Sequence, residues 1–131
     1  MTTARGEFDV RPTFNETYDE GEGAKLGRTR FAKEFRGDLE GTSTVEMLGA
    51  MSDVKGSAGY VAMERVTGRL HGRAGTFVLQ HDATMTRGTP ALHIVVVPDS
   101  ATGELMGLTG SFVIDIVEKK HLYRFEYAFE A

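Results

Sequence analysis

Hydrophobic and polar residues alternate with a period of two along much of the chain, and glycines interrupt the alternation at short intervals. The clearest stretch runs from Gly59 to His81 and contains a glycine turn at Gly72. Because successive side chains of a strand point to opposite faces, this pattern predicts β-structure. The window from Thr44 to Met51 is the best candidate for a helix, but it fits a strand equally well. Strands are predicted near residues 4–11, 27–37, 41–51, 58–70, 74–86, 91–97, 105–117 and 121–130.

Eight predicted strands in 131 residues favour a closed barrel. An open sheet leaves unpaired backbone groups at its edges, and closure removes those edges. The aromatic residues of the last strand alternate with other side chains and so form one face: Tyr123, Phe125, Tyr127 and Phe129. We predict an all-β fold, a single closed antiparallel eight-stranded β-barrel over residues 1–131, with this aromatic face inside. Residues 15–24 are acidic and contain glycine, and they are predicted to form an exposed loop between the first two strands.

Composition and charge exclude several classes of protein. Sixteen glycines and only three prolines suit hairpin turns and sheet hydrogen bonds. The net charge is -4 and the basic residues are scattered, which argues against a nucleic-acid groove. Cysteine is absent, which excludes disulfides and thiolate chemistry. The sequence shows no signal segment and no membrane-spanning apolar run, so we expect a cytoplasmic protein without nucleic-acid or membrane partners.

The bend at Gly72-Arg73 defines the first candidate site. A two-residue loop there predicts that Glu64 lies opposite His81 on a mostly apolar face. The larger apolar side chains predicted on this face are Tyr60, Phe77 and Met85. Burial raises the pKa of a carboxyl and lowers that of an imidazole, whereas mutual proximity does the reverse, so the pair is suited to sharing a proton. The pair serves either acid–base chemistry or the mutual satisfaction of two polar groups in the core.

A second carboxylate, Glu46, joins this pair or faces solvent according to the preceding loop. A four-residue loop over 53–56 sets Val45 opposite Glu64 and turns Glu46 outward. A three-residue loop with Gly56 in the left-handed conformation sets Glu46 opposite Glu64 instead. Two facing carboxylates repel when ionised, so one would keep its proton and could act as a general acid. The sequence leaves both registers open.

The histidines raise the question of a metal site, because His71, His81 and His93 fall on neighbouring predicted strands and imidazole binds zinc, copper or iron. A two-residue turn at Arg87-Gly88 places His81 opposite Ile94 and points His93 to the other face. The sequence also shows no phosphate-binding glycine loop and no nucleophile elbow. We therefore predict neither a metal nor a cofactor.

Five segments carry a resemblance to a known family: Tyr18–Gly23, Phe35–Gly41, Val61–Gly68, Gly75–His81 and Thr102–Gly110. They are similar to sequences of an uncharacterised bacterial family, the domain of unknown function 3224 family. The resemblance implies a barrel similar to those of allene oxide cyclase and dirigent proteins. Those relatives are eight-stranded and often oligomeric, and they bind oily or phenolic substrates inside the barrel. No reaction is established for the family, so the resemblance implies a fold and a kind of ligand only.

Three functions fit these observations. The first is a barrel that binds a small apolar or amphipathic molecule, with Glu64 and His81 as its polar groups and the apolar side chains of the same face as its lining. The second is a cofactor-independent isomerase or cyclase in which the same pair moves a proton. The third is a filled structural barrel that acts through its outer face or as an oligomer subunit. We expect a homo-oligomer, specifically a dimer.

Overall fold

A computed structural model describes residues 1–130 and confirms the closed eight-stranded antiparallel barrel. The strands are β1 (Thr2–Asp19), β2 (Ala24–Gly37), β3 (Leu39–Ser52), β4 (Ala58–Leu70), β5 (Arg73–Thr86), β6 (Thr89–Val96), β7 (Leu108–Val117) and β8 (Lys120–Phe129). Each strand pairs with the next, and β1 pairs with β8 to close the barrel. The helical alternative for Thr44–Met51 is excluded, since these residues lie within β3. None of the described residues forms a helix long and apolar enough to cross a membrane.

One predicted boundary is wrong, and another is displaced by a few residues. The loop predicted over residues 15–24 is largely strand, because β1 continues to Asp19 and pairs with the start of β2. Both faces of this extension are exposed, so its sequence has no reason to alternate. The strand predicted from residue 105 begins at Leu108, after a short 3₁₀ helix over Gly103–Leu105. Leu105 is fully buried and belongs to the hydrophobic core of the barrel.

The aromatic face of β8 lies inside the barrel, as predicted. Tyr123, Phe125 and Tyr127 are buried, and the ring of Phe125 stacks on that of Phe77 with centroids 5.8 Å apart. Phe112 of β7 packs against the ring of Phe125, with ring centroids 4.8 Å apart. This half of the interior is therefore filled by side chains, which is one of the two states open to an eight-stranded barrel.

Inner-facing glycines allow these rings to lie directly on the backbone. A Cβ atom at Gly6 would fall 2.5 Å from the hydroxyl oxygen of Tyr123. That hydroxyl accepts a hydrogen bond from the main-chain N–H of Leu39 at 2.9 Å and donates one to the carbonyl of Arg36 at 3.0 Å. Tyr123 thus ties β8 to the β2–β3 turn through a close approach that a larger residue at position 6 would prevent.

The opposite end of the barrel is less filled, because β1 to β5 extend beyond the shorter strands. Along the inner face of β4, burial falls from Glu64, which is inaccessible to solvent, through half-buried Tyr60 to exposed Ala58. We call the inner-facing apolar residues at this end the mouth: Phe31, Met47, Tyr60, Ala83, Met85 and Leu92. The mouth is a partly solvated apolar surface that continues directly from the buried core.

Candidate functional site

The predicted pairing of Glu64 with His81 is wrong by two residues. Glu64 pairs with Leu79, and His81 pairs with Ala62. The two-residue turn is formed by His71 and Gly72, both with positive φ, rather than by Gly72 and Arg73. A type I′ turn needs positive φ at both central positions and favours glycine at the second, so Gly72 closes the turn instead of opening it. The error moves each partner by two residues, which keeps every side chain on its predicted face.

Because both side chains stay on the inner face, Glu64 and His81 are still in contact as diagonal neighbours across β4 and β5. The Nε2 atom of His81 lies 2.7 Å from Oε1 of Glu64. The ammonium group of Lys33 donates to the same oxygen at 3.2 Å, and the hydroxyl of Ser43 donates to Oε2 at 2.5 Å. We call these four residues the buried cluster, since Glu64 is fully inaccessible and the Lys33 side chain retains only 9% of its exposure.

The electrostatics of the cluster favour an ionised Glu64. Burial alone would raise the pKa of its carboxyl. The hydrogen bond from His81 and the positive charge of Lys33 outweigh that penalty, with a further contribution from Ser43, and the pKa of Glu64 lies below its ordinary value. A carboxylate buried in an apolar barrel is therefore held charged by three donors around it.

Two residues of the cluster, Lys33 and Ser43, were not predicted from the sequence, and Lys33 is the charged one. It lies on β2 between Phe31 and Phe35, and all three share the inner face. Its ammonium group sits 4.5 Å from the centroid of the Phe8 ring, a cation–π distance. The sequence does contain a signal for Lys33. It alternates with Phe31 and Phe35 on one predicted strand, and this alternation places all three side chains on the same face.

The predicted apolar lining divides into a buried and an accessible part. Phe77 is fully buried in the aromatic core below the cluster. Tyr60 and Met85 lie in the mouth, where Tyr60 is half-buried and Met85 is 42% exposed. Burial, and then the negative charge of Glu64, raise the pKa of the Tyr60 phenol. Tyr60 is thus electrostatically coupled to the cluster, whereas Phe77 serves as packing.

Glu46 does not join the site. The β3–β4 loop spans four residues, closed by a hydrogen bond from the N–H of Ser52 to the carbonyl of Ser57 at 3.1 Å. Val45 therefore pairs with Glu64, and Glu46 points outward. There it accepts a 2.6 Å hydrogen bond from Nε of Arg30, which lowers the pKa of its carboxyl. The register in which two carboxylates face each other is excluded, and with it the role of Glu46 as a catalytic candidate.

The other histidines lie apart from the cluster. The turn at Arg87-Gly88 forms as predicted and pairs His81 with Ile94, while the side chain of His93 lies on the outer face and is 80% exposed. His71 lies in the β4–β5 turn, where its Nδ1 atom is 2.5 Å from the hydroxyl of Tyr127. Within residues 1–130, no three histidine, aspartate or glutamate side chains come together as a metal site requires.

Two grooves lie along the barrel surface. The larger, of about 540 Å³, crosses β1 to β6 and is lined mainly by outward-facing residues such as Leu48, Val61 and His93. Its lining also includes Tyr60 and Ala83 of the mouth. The other, of about 410 Å³, lies over β3 and β4 near Met63 and Arg65. It also borders Ser43 and Glu64 of the cluster, whose side chains are buried.

These features define a class of protein: a small closed β-barrel that holds a buried ionic cluster beneath a half-open apolar end. Residues 4–127 match the family described as "Protein of unknown function (DUF3224)", and the chain belongs to this family, which confirms the family resemblance of the five segments. The chain is also similar to a crystallised DUF3224 protein of unknown function from Shewanella oneidensis MR-1. The two share 51% identity over 100% of this chain and 98% of that one, with a TM-score of 0.96. A search of curated proteins found no match.

Proposed function

We propose that this protein binds a small, largely apolar molecule in the mouth of the barrel, with its polar group directed at the buried cluster. The observation that carries the proposal is Glu64 itself, which is inaccessible to solvent, hydrogen-bonded to Lys33, Ser43 and His81, and directly below apolar residues that are only half-buried. Buried ion pairs are costly, and well-packed apolar side chains usually serve stability as well or better. A charged cluster beside a solvent-accessible apolar surface is typical of a binding site.

A barrel like those of allene oxide cyclase and dirigent proteins, which the sequence resemblance implies, would fit the same proposal, because those barrels take up oily or phenolic molecules. In this chain the accessible inner surface is aromatic and thioether in character, with Phe31, Met47 and Tyr60. Flexible methionines adapt to different ligand shapes, and sulfur packs favourably against aromatic rings. The mouth therefore suits a compact aromatic or oily ligand.

Methionine-methyl NMR tests the proposal with an internal control. Met47 and Met85 lie in the mouth, whereas Met63 and Met106 are exposed elsewhere. Titration of protein labelled with ¹³C at the methionine methyls with 2-naphthol should shift the signals of Met47 and Met85. Shifts confined to Met63, which borders an outer groove, would move the binding site to the outer surface and refute the proposal.

Proton transfer is a second candidate function, favoured by the 2.7 Å contact between Glu64 and His81. A carboxylate that orients an imidazole is a common general-base arrangement and needs no cofactor. The probe is 2-tetralone, a ketone of the size of naphthol with acidic C–H bonds. In D₂O the protein should accelerate exchange of these protons, and His81→Phe should remove the acceleration. Exchange at the uncatalysed rate with the wild-type protein would exclude this function for ketones of that size.

A further inference from the structure

The hydrogen bonds of the cluster fix which atoms remain for a ligand. Oε1 of Glu64 accepts from both His81 and Lys33, and Oε2 accepts from Ser43. Since the carboxylate is ionised, it can only accept, so Nε2 of His81 must carry a proton. A neutral imidazole with its proton on Nε2 has its lone pair on Nδ1. Among the side-chain hydrogen bonds of residues 1–130, the imidazole of His81 takes part in one, through Nε2.

The charges of the cluster limit the kind of ligand that fits. Lys33 and Glu64 form a pair of opposite charges, and no further acid lies among the buried side chains of residues 1–130. Because Lys33 already supplies the countercharge to Glu64, a cluster with a neutral His81 carries no net charge. An organic anion would add an uncompensated charge to a desolvated site, which is costly. A neutral molecule with one hydroxyl can donate to Nδ1 without such a cost.

We propose that the Lys33–Glu64 ion pair locks His81 in the Nε2-protonated tautomer, and that Nδ1 accepts a hydrogen bond from the hydroxyl of a neutral, otherwise apolar ligand. Lys33 is on this account a positioning residue, which acts on the ligand only through Glu64 and His81. The ligand class rests on the proposed binding function. The tautomer does not, so the two parts can fail separately.

The position of His81 agrees with this role. On the inner face of β3 to β6, His81 lies in one row of paired residues with Met47, Ala62 and Ile94. The next row toward the mouth consists of Gly49, Tyr60, Ala83 and Leu92. His81 is 4% exposed, while Leu92 in the row nearer the mouth is 38% exposed. The imidazole thus lies one row below the partly exposed residues of the mouth.

Long-range ¹⁵N–¹H spectra of the histidine rings test the tautomer directly. At neutral pH, His81 should show a protonated Nε2 and an unprotonated Nδ1 in one fixed form. A tautomer mixture for His81, or a proton on Nδ1, would overturn the inference. The measurement uses the wild-type protein and needs no ligand.

Substitutions at Lys33 test its positioning role. In Lys33→Met the carboxylate of Glu64 loses its permanent countercharge, and His81 should take a second proton to replace it. Both ring nitrogens should then appear protonated at a pH where the wild type shows one. Lys33→Arg keeps the charge and should restore the wild-type spectrum. An unchanged His81 spectrum in folded Lys33→Met would show that Lys33 has no such role.

Three related probes test the ligand class through the Met47 methyl signal: 2-naphthol, its methyl ether 2-methoxynaphthalene, and the anion 2-naphthoate. Loss of one hydrogen bond of about 1 kcal/mol corresponds to roughly fivefold weaker binding. We expect 2-naphthol to bind about fivefold more tightly than the ether, and 2-naphthoate to bind most weakly. Equal affinities for the naphthol and the ether, or tighter binding of the naphthoate, would overturn the assigned class. No Met47 shift with any probe would overturn the binding function and the ligand class together, while the ring spectra would still decide the tautomer.

Discussion

Replacing Glu64 by glutamine is the most informative single perturbation, because it removes one charge from the cluster at nearly constant shape. The amide leaves the buried Lys33 ammonium without a countercharge. Breaking a buried pair in this way costs about 3–5 kcal/mol. Unfolding entropy of about 2.1 cal/mol/K per residue over the 131 residues gives roughly 275 cal/mol/K. The substitution should therefore lower Tm by about 11–18 °C, measured by differential scanning calorimetry at pH 7.

Glu46→Gln is the matched control. Glu46 also accepts a hydrogen bond from a basic side chain, at 2.6 Å from Arg30, but this pair lies on the surface. Water compensates the loss of an exposed ion pair, so the control should melt close to the wild type. If Glu64→Gln and Glu46→Gln shift Tm equally, the carboxylate of Glu64 is not paired in a desolvated site and the account of the cluster fails.

The pH dependence of the Tm difference between wild type and Glu64→Gln tests the direction of the pKa shift of Glu64. The pKa of Glu64 is lower in the folded protein than its ordinary value, so the unfolded state binds more protons in that range. The stabilisation from this group is complete above the unfolded pKa, about 4.3 for glutamate, and is lost as pH falls toward the folded pKa. The Tm difference between wild type and Glu64→Gln should therefore shrink in acid. A difference that grows as pH falls would mean that the folded pKa is raised.

Three further outcomes are expected. Tyr123→Phe removes a buried hydroxyl that accepts and donates main-chain hydrogen bonds and should cost about 1–3 kcal/mol in urea unfolding, whereas Tyr18→Phe, at an exposed site, should match the wild type. Gly68→Ala would place a Cβ against a main-chain oxygen of the neighbouring strand and should prevent stable folding, whereas Gly59→Ala meets its nearest atom at 3.4 Å and should fold, as judged by circular dichroism. Sedimentation velocity should show a dimer that Val61→Glu dissociates, since Val61 is 54% exposed beside the apolar outer groove; a wild-type monomer would refute the predicted dimer.

The architecture could be predicted from the sequence because alternation and turn residues are local signals. The face of each side chain on β4 and β5 was predicted correctly, since a shift of two residues leaves the parity unchanged. The pairing itself failed because the positive φ of His71 is visible only in the structure. Histidine is a less usual residue than asparagine at the first position of such a turn, so the sequence does not mark His71-Gly72 as the turn.

The composition of the cluster depended on contacts between residues distant in sequence. Lys33 lies on β2, and Glu64 lies on β4, two strands away, so no spacing within a hairpin relates them. The inward phase of Lys33 was readable from its strand, but its partner was not. The side of the sheet on which Glu46 lies depends on whether the β3–β4 loop has three or four residues. Only the observed hydrogen bond across that loop shows that it has four.

The ionisation of Glu64 is the claim on which both the proposed ligand site and the role of His81 depend. Carboxyl ¹³C NMR of the folded protein, titrated with acid, measures it most directly. The account predicts that the Glu64 signal stays that of a carboxylate to a pH below the ordinary glutamate range. A signal that titrates above that range would show that burial prevails over Lys33 and His81, and would contradict the account.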